Sequence, residues 1–175
     1  MAYQGVKGAY SYIVAGKLFP GAKLVGCATF RDVFEMVKSK KADKAAVPIE
    51  NSIVGSVAEV AELLLEYRLP VLAETSLAIE HQLLVLPGAK DINEIKFVHS
   101  HPKALEQCEA FLKEHLWMTA IAEFDTAGSA ELVAKKHDPT HAAIASREAG
   151  ELWGLKSLLG TIQSNLRNYT KFGII

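Results

Sequence analysis

The chain is short of cysteine, has no long apolar run and carries no surplus of charge of either sign; each shortage closes off a class of protein. Its two cysteines, Cys27 and Cys108, are too few for a disulfide framework and too far apart for a chelating motif, so they read as free thiols in a reducing compartment. The longest apolar run, around Leu83 to Leu86, is far below the roughly 20 residues that a membrane helix needs. With 19 basic and 20 acidic side chains the formal net charge is -1, and no global field draws the protein to nucleic acid or to anionic lipid. Met1 leads into Ala2-Tyr3-Gln4-Gly5 with no basic start and no apolar h-region, so no secretory signal is expected. Together these absences predict a soluble cytoplasmic protein. Fixed-period repeats and low-complexity tracts are missing too, which sets solenoids aside.

What is present is the composition of an ordinary globular enzyme: 175 residues, 50% hydrophobic and 22% charged, enough to bury a substantial core. Strand-like and helix-like segments alternate along nearly the whole length. A short apolar start at Ala2 to Gln4 precedes a helix over Ala9 to Phe19, which Pro20-Gly21 ends. Thr29 with Asp32 has capping-box spacing, and Phe30, Val33, Phe34 and Val37 fall on one helical face. Lys44 to Ile49 reads as a strand that stops at Pro48-Ile49-Glu50-Asn51-Ser52, and Val57 to Tyr67 as a helix. Val71 to Leu86 is too long for one strand and reads as a path crossing between two lobes. A strand at Lys96 to Ser100 then leads into one helix with Pro102 in its first turn and a buried face of Leu105, Cys108, Phe111 and Leu112. Met118 to Phe124, Thr126 to Lys136, Ala142 to Ala145, a helix after Ser146 ending at Gly154, and Thr170 to Ile175 complete the alternation. It predicts α/β layers on largely parallel sheets.

Several helix starts carry small hydroxyl residues near glycine: Gly8-Ala9-Tyr10-Ser11, Ser52 with Gly55-Ser56, Ser100 before Pro102, and Asp125-Thr126-Ala127-Gly128. Helix N-termini have unpaired N–H groups and partial positive charge, so each can hold a carboxylate; each can equally be a plain cap. Glu50-Asn51-Ser52 directly follows an apolar strand, where α/β folds place ligands, and can also be a turn held by asparagine. Gln107 beside Cys108 decides nothing alone. His99 and His101 share one side of a strand at a metal-like spacing, but no further ligand cluster accompanies them. Gly5-Val6-Lys7-Gly8 lacks the ending of a phosphate loop, and no nucleophile elbow is present.

Taken in order, these segments resemble the prephenate dehydratases and the related plant arogenate dehydratases. Ala2 to Ser11 is similar to the family's glycine-rich motif in its plant-like Ala-Tyr-Ser form, and Val47 to Ser52 with Gly55-Ser56 to its Glu-Asn-Ser motif. His81-Gln82-Leu83-Leu84, Ser100-His101-Pro102, Gln107-Cys108, Asp125-Thr126-Ala127 and Asn168-Tyr169-Thr170-Lys171-Phe172 continue the match across the chain. The resemblance implies a two-lobed fold like the type II periplasmic binding proteins, with a cleft between lobes. Lobe one would be residues about 1–78 plus about 163–175 and lobe two about 79–162, with no ACT regulatory domain after Ile175.

The activity implied is decarboxylating dehydration of prephenate to phenylpyruvate, without metal or organic cofactor, by a homodimer or higher homo-oligomer acting on a small molecule. Thr170 is expected to assist departure of the hydroxyl, with Glu50 as a second acid. Ala9, Tyr10, Ser11, Asn51, Ser52, Ser100, Gln107, Thr126, Lys171 and Phe172 are expected to bind substrate. Two positions depart from the family pattern. Lys171 stands where arginine is usual, losing the bidentate fork that suits a carboxylate, and Ser164 stands in Ile162-Gln163-Ser164 where aspartate is usual. The alternatives are an arogenate dehydratase, or a non-catalytic module that binds an aromatic acid.

Overall fold

A computed structural model describes all residues, Met1–Ile175. In chain order the elements are β1 (Ala2–Gln4), α1 (Tyr10–Leu18), β2 (Val25–Cys27), α2 (Phe30–Lys38), β3 (Ala45–Asn51), β4 (Gly55–Ser56), α3 (Ala58–Tyr67), β5 (Ala73–Ala78) and β6 (Gln82–Val85). A 3-10 turn at Ile92–Glu94 precedes β7 (Phe97–Ser100), α4 (Pro102–Gln107), α5 (Glu109–Glu114), β8 (Thr119–Ala122), α6 (Thr126–Lys136), β9 (His141–Ala145), α7 (Arg147–Trp153), β10 (Lys156–Leu159) and β11 (Tyr169–Ile174). They form two compact units, Met1–Ile79 with Arg167–Ile175, and Glu80–Leu166. No helix is long and apolar enough to cross a membrane.

The first unit is built on a sheet of order β2-β1-β3-β11-β5, with β4 paired to β3. β1, β2 and β3 run parallel, whereas β11 runs antiparallel to both β3 and β5. Helices α2 and α3 bury Val33, Phe34, Val60 and Leu63 against one face, with Ala45 and Val47 beneath. Helix α1 lays Val14 and Ala15 on the other face, over Ala46, Phe172 and Ile174. The capping box at Thr29 is formed: its hydroxyl accepts from Asp32 N, and the Asp32 carboxylate accepts from Thr29 N at 3.0 Å, a device worth about 1 kcal/mol.

The second unit has the sheet order β10-β6-β9-β7-β8. β7 is parallel to β8 and β9, and β6 antiparallel to β9 and β10. Its core gathers Leu83, Val85, Val98, Ala142 and Ile144 from the sheet with Ala104, Cys108 and Phe111 from α4 and α5. Burial pushes the Cys108 thiol up to about 12, which makes it an inert packing group.

Three expectations are corrected. Both sheets are mixed, because β11 and β6 run antiparallel to their neighbours. β3 does not end by Ile49 but continues to Asn51, and a register shift opposite Lys171 and Phe172 leaves Ile49 as the extra residue. Proline has no N–H to give a ladder, and a bulge is where a strand tolerates it. The helix after Ser100 is two short helices broken at Cys108, whose φ of -103° and ψ of 17° leave the helical region. Pro102 does open the first of them, as expected. β10 is an element that the alternation does not announce: it has only four residues and follows a helix-ending glycine.

Candidate active site

The sheet of the first unit determines which side chains share a surface. Successive residues of a strand point to opposite faces. Thr170 pairs with Asn51 on β3 and Leu77 on β5, while Lys171 pairs with Glu50 and Ser76. Thr170 therefore lies on the α1 face with Phe172, and Lys171 with Glu50 on the opposite face.

On the α1 face the Thr170 hydroxyl sits at the start of β11, 8% exposed. Asn51 Nδ2 donates to Thr170 Oγ1 at 2.9 Å, to Asn168 Oδ1 at 2.8 Å and to Tyr169 O at 3.2 Å. Asn51 Oδ1 accepts from the backbone N–H groups of Ile53 at 3.0 Å and Val54 at 3.1 Å. Ser52 closes the same corner: its hydroxyl donates to Arg167 O at 3.1 Å and accepts from Tyr169 N at 2.9 Å, and Ser52 N donates to Tyr169 O. Helix α1 begins at this end of the sheet, because β1 and β3 are parallel and α1 follows β1 directly. Its N-cap, Ala9, supplies no side-chain acceptor; Tyr10 packs against the cluster containing Phe172, and Ser11 is buried.

Glu50 and Lys171 do not join this corner. The Lys171 ammonium lies 3.5 Å from Glu50 and 3.8 Å from Glu74, with all three side chains about half exposed. Strand alternation places them across the sheet from Thr170, so the expected second acid Glu50 and carboxylate ligand Lys171 are not gathered with Thr170 on one face. An exposed pair of this kind contributes about 0–1 kcal/mol. Lys171→Arg is accordingly expected to leave KM within about twofold of the parent, checked by steady-state kinetics; a severalfold change would return Lys171 to the substrate. Phe172 is also corrected. At 1% exposure it is a core side chain under α1 and has no surface to offer a ligand.

Asn51 is fully occupied by the chain itself, and the Ser52 hydroxyl has its one donor spent on Arg167 O, leaving no N–H or O–H of either side chain for a ligand. Ser100, in the second unit, is likewise taken up: it is 0% exposed and donates to Ile144 O at 2.6 Å. Gln107 Oε1 lies 2.8 Å from His81 Nε2. Thr126 opens α6, where the Asp125 carboxylate already accepts from Gly128 N at 2.5 Å, placing a protein anion at the helix start. Asn168 stands in the last sequence motif but was given no site role there. It is 1% exposed and bonded to Asn51, and its spacing of two from Thr170 on a strand-like segment was the available signal. Gln163 was likewise given no site role; its side chain accepts from His81 N at 2.9 Å.

The histidines at a metal-like spacing are spent on other tasks. His101 accepts from Lys103 N as a helix cap, and no three His, Cys, Asp or Glu side chains gather to share an ion. His99 lies in a chain of contacts, Nδ1 to Glu123 at 2.8 Å and Nε2 to His141 Nδ1 at 2.7 Å, with His141 stacked on Phe97. Burial is the main cause holding both His141 and His81 below the ordinary value of 6.5; nearby His99 and Lys136 add to it for His141, while Asp138 opposes. A histidine depressed in the folded state binds its proton more tightly when unfolded, so its contribution is complete above about 6.5 and declines as pH falls below it. The urea midpoint is expected to be lower at about pH 5.5 than at about 7.5, with His141→Gln flattening the difference. Equal midpoints would contradict it.

The family model described as prephenate dehydratase matches residues 1–175. Arogenate dehydratase 1 of Petunia hybrida is 42% identical over 173 residues, 98% of this chain and 41% of its own length. The chloroplastic arogenate dehydratase/prephenate dehydratase 6 of Arabidopsis thaliana is also 42% identical, over 98% of this chain and 42% of its own. The chain thus spans about two fifths of the length of these curated relatives. Among solved structures, GqqA, described as a novel type of quorum quenching acylase, superposes with a TM-score of 0.86 at 35% identity, covering 99% of this chain and 62% of that one. The prephenate dehydratase of Arthrobacter aurescens, solved with L-Phe, gives 0.86 at 27% identity, covering 99% and 59%. A periplasmic substrate-binding protein of Coxiella burnetii shares the fold alone, at a TM-score of 0.52 and 8% identity over 100% of this chain and 84% of that one. The expectation of a cytoplasmic protein is overturned by the plant relatives: six Arabidopsis enzymes among them are named chloroplastic.

Proposed function

The chain belongs to the prephenate dehydratase family, and from that premise we propose that it converts prephenate to phenylpyruvate, a carbon–oxygen lyase step in phenylalanine biosynthesis. Prephenate carries a ring carboxylate, a pyruvyl side chain and a hydroxyl para to the carboxylate. The bond from ring to carboxylate breaks, its electrons enter the ring, and the bond to the hydroxyl breaks as the ring becomes aromatic. Carbon dioxide leaves; the departing oxygen takes a proton and leaves as water. Aromatisation supplies the driving force, so the protein has mainly to hold the dianion and hydrogen-bond the leaving oxygen as charge develops on it.

The observation that carries this reading is the Thr170 hydroxyl, held at the start of β11 by the Asn51 amide at 2.9 Å. Thr170 is assigned the leaving hydroxyl. A threonine is a weak acid, so its role is a positioned donor strongest in the transition state. The N–H groups of α1 around Ala9 to Ser11 suit a substrate carboxylate, since a helix start carries partial positive charge.

Arogenate, in which an amine replaces the keto group, is the second reading, favoured by the arogenate dehydratase names of relatives at 42% identity. Purified protein is expected to form phenylpyruvate from prephenate, or phenylalanine from arogenate, with the preferred substrate having the higher kcat/KM. Consumption of neither substrate would end the enzymatic reading and leave a module that binds an aromatic acid. The family pattern also supports a homodimer or higher oligomer, which light scattering would read.

A further inference from the structure

We propose that Asn51 serves the reaction as a positioning residue acting through Thr170 rather than as a ligand of the substrate; this rests on the assignment of the leaving hydroxyl to Thr170. A primary amide has two N–H donors and an oxygen with two lone pairs. In Asn51 every one is engaged by the protein: Nδ2 faces three acceptors, Asn168 Oδ1, Tyr169 O and Thr170 Oγ1, and Oδ1 accepts from Ile53 N and Val54 N. The orientation of the amide is determined by backbone groups, which cannot exchange roles. Turning it over would set its oxygen against the Tyr169 carbonyl and its N–H groups against two backbone N–H donors. No capacity remains for a substrate.

The consequence falls on the Thr170 proton. A hydroxyl is one donor and two lone pairs, and one lone pair is filled by the Asn51 N–H at 2.9 Å. The O–H cannot point at Asn51, because a donor already stands there. Its rotation is confined to the remaining directions, and a hydroxyl that accepts a hydrogen bond is polarised into a better donor. The β-branched side chain is itself stiff about χ1. Asn51 thereby keeps the proton of Thr170 available for the leaving oxygen, and the two-residue corner with Ser52 ties the segment from Arg167 to Tyr169 in place.

Asn51→Asp separates these roles from binding. The carboxylate keeps the size of the side chain and still accepts from Ile53 N and Val54 N, but presents an acceptor both to Thr170 Oγ1 and to the Tyr169 carbonyl, which must draw away from it. The threonine proton then turns inward to the introduced carboxylate. Turnover by Asn51→Asp is expected to fall at least about tenfold, with KM within about threefold, and to recover partly as pH falls through the ordinary carboxylate range near 4. In a Thr170→Val background, Asn51→Ala is expected to cost no further turnover, because the group it positions is gone. A substrate ligand would instead raise KM and add its loss to that of Thr170→Val; either result overturns the inference, as does full turnover in Asn51→Asp when Thr170→Val is impaired. Full turnover in Thr170→Val would remove the role of Thr170 itself and the inference with it. Far-ultraviolet spectra and urea midpoints of each variant establish that the folded enzyme is being assayed.

Discussion

Thr170→Val is expected to lower turnover by about a hundredfold, within the range of 10²–10⁴ found when a positioned proton donor is removed; that loss corresponds to about 2.7 kcal/mol of barrier. The change replaces a hydroxyl by a methyl group of nearly the same volume on an equally branched side chain. It leaves no stranded donor, because Asn51 Nδ2 still has Asn168 Oδ1 and Tyr169 O as acceptors. The methyl group must draw back from Asn51 Nδ2, which lies 2.9 Å from the oxygen it replaces, so a modest fall in the unfolding midpoint is expected. KM should change little, since a contact to the leaving oxygen strengthens only as the bond breaks. Thr170→Ser, which restores the donor, should recover much of the lost turnover. The decisive measurement is kcat with prephenate and with arogenate for the three proteins side by side. Turnover retained by the valine variant would take the hydroxyl out of the chemistry.

Phe172→Ala has the largest expected effect on stability. Phe172 is 1% exposed and packs with Val14 and Ala15 of α1 and Ala46 and Ile174 of the sheet. Truncating a buried phenylalanine to alanine costs about 3–5 kcal/mol through lost burial and the cavity left behind, a large share of the roughly 5–15 kcal/mol that holds a typical domain folded. The position makes relief by collapse difficult. β11 is flanked by β3 and β5, and Phe172 stands where the register against β3 shifts, so the backbone is held from both sides. Urea unfolding should show a clearly lower midpoint, whereas KM measured on the folded fraction should stay near that of the parent. A raised KM with an unchanged midpoint would instead make Phe172 a ligand.

The two residues of one motif thus part company: Thr170, 8% exposed, is the proposed donor, while Phe172, 1% exposed, packs in the core, although both lie on the same face of β11. Depth along the strand separates them, and the sequence does not print depth. Thr29 shows the opposite case. Its capping box was readable because both partners lie within three residues and the geometry of a helix start is local. The same holds for Pro102 and for the glycine that ends α7.

Local patterns therefore determined the element types, the caps and the order of motifs, and with them the family. Only the tertiary structure decided that Glu50 and Lys171 lie across the sheet from Thr170, that Asn51 and Ser52 are consumed by the return of the chain at Arg167 to Thr170, and that Asn168 belongs to the corner. These depend on the pairing of β3 with β11, segments separated by more than a hundred residues, and on a bulge that shifts their register. A strand changes face with every residue, so one step of register decides which of two neighbouring side chains meets a substrate. No pattern confined to either segment contains that step.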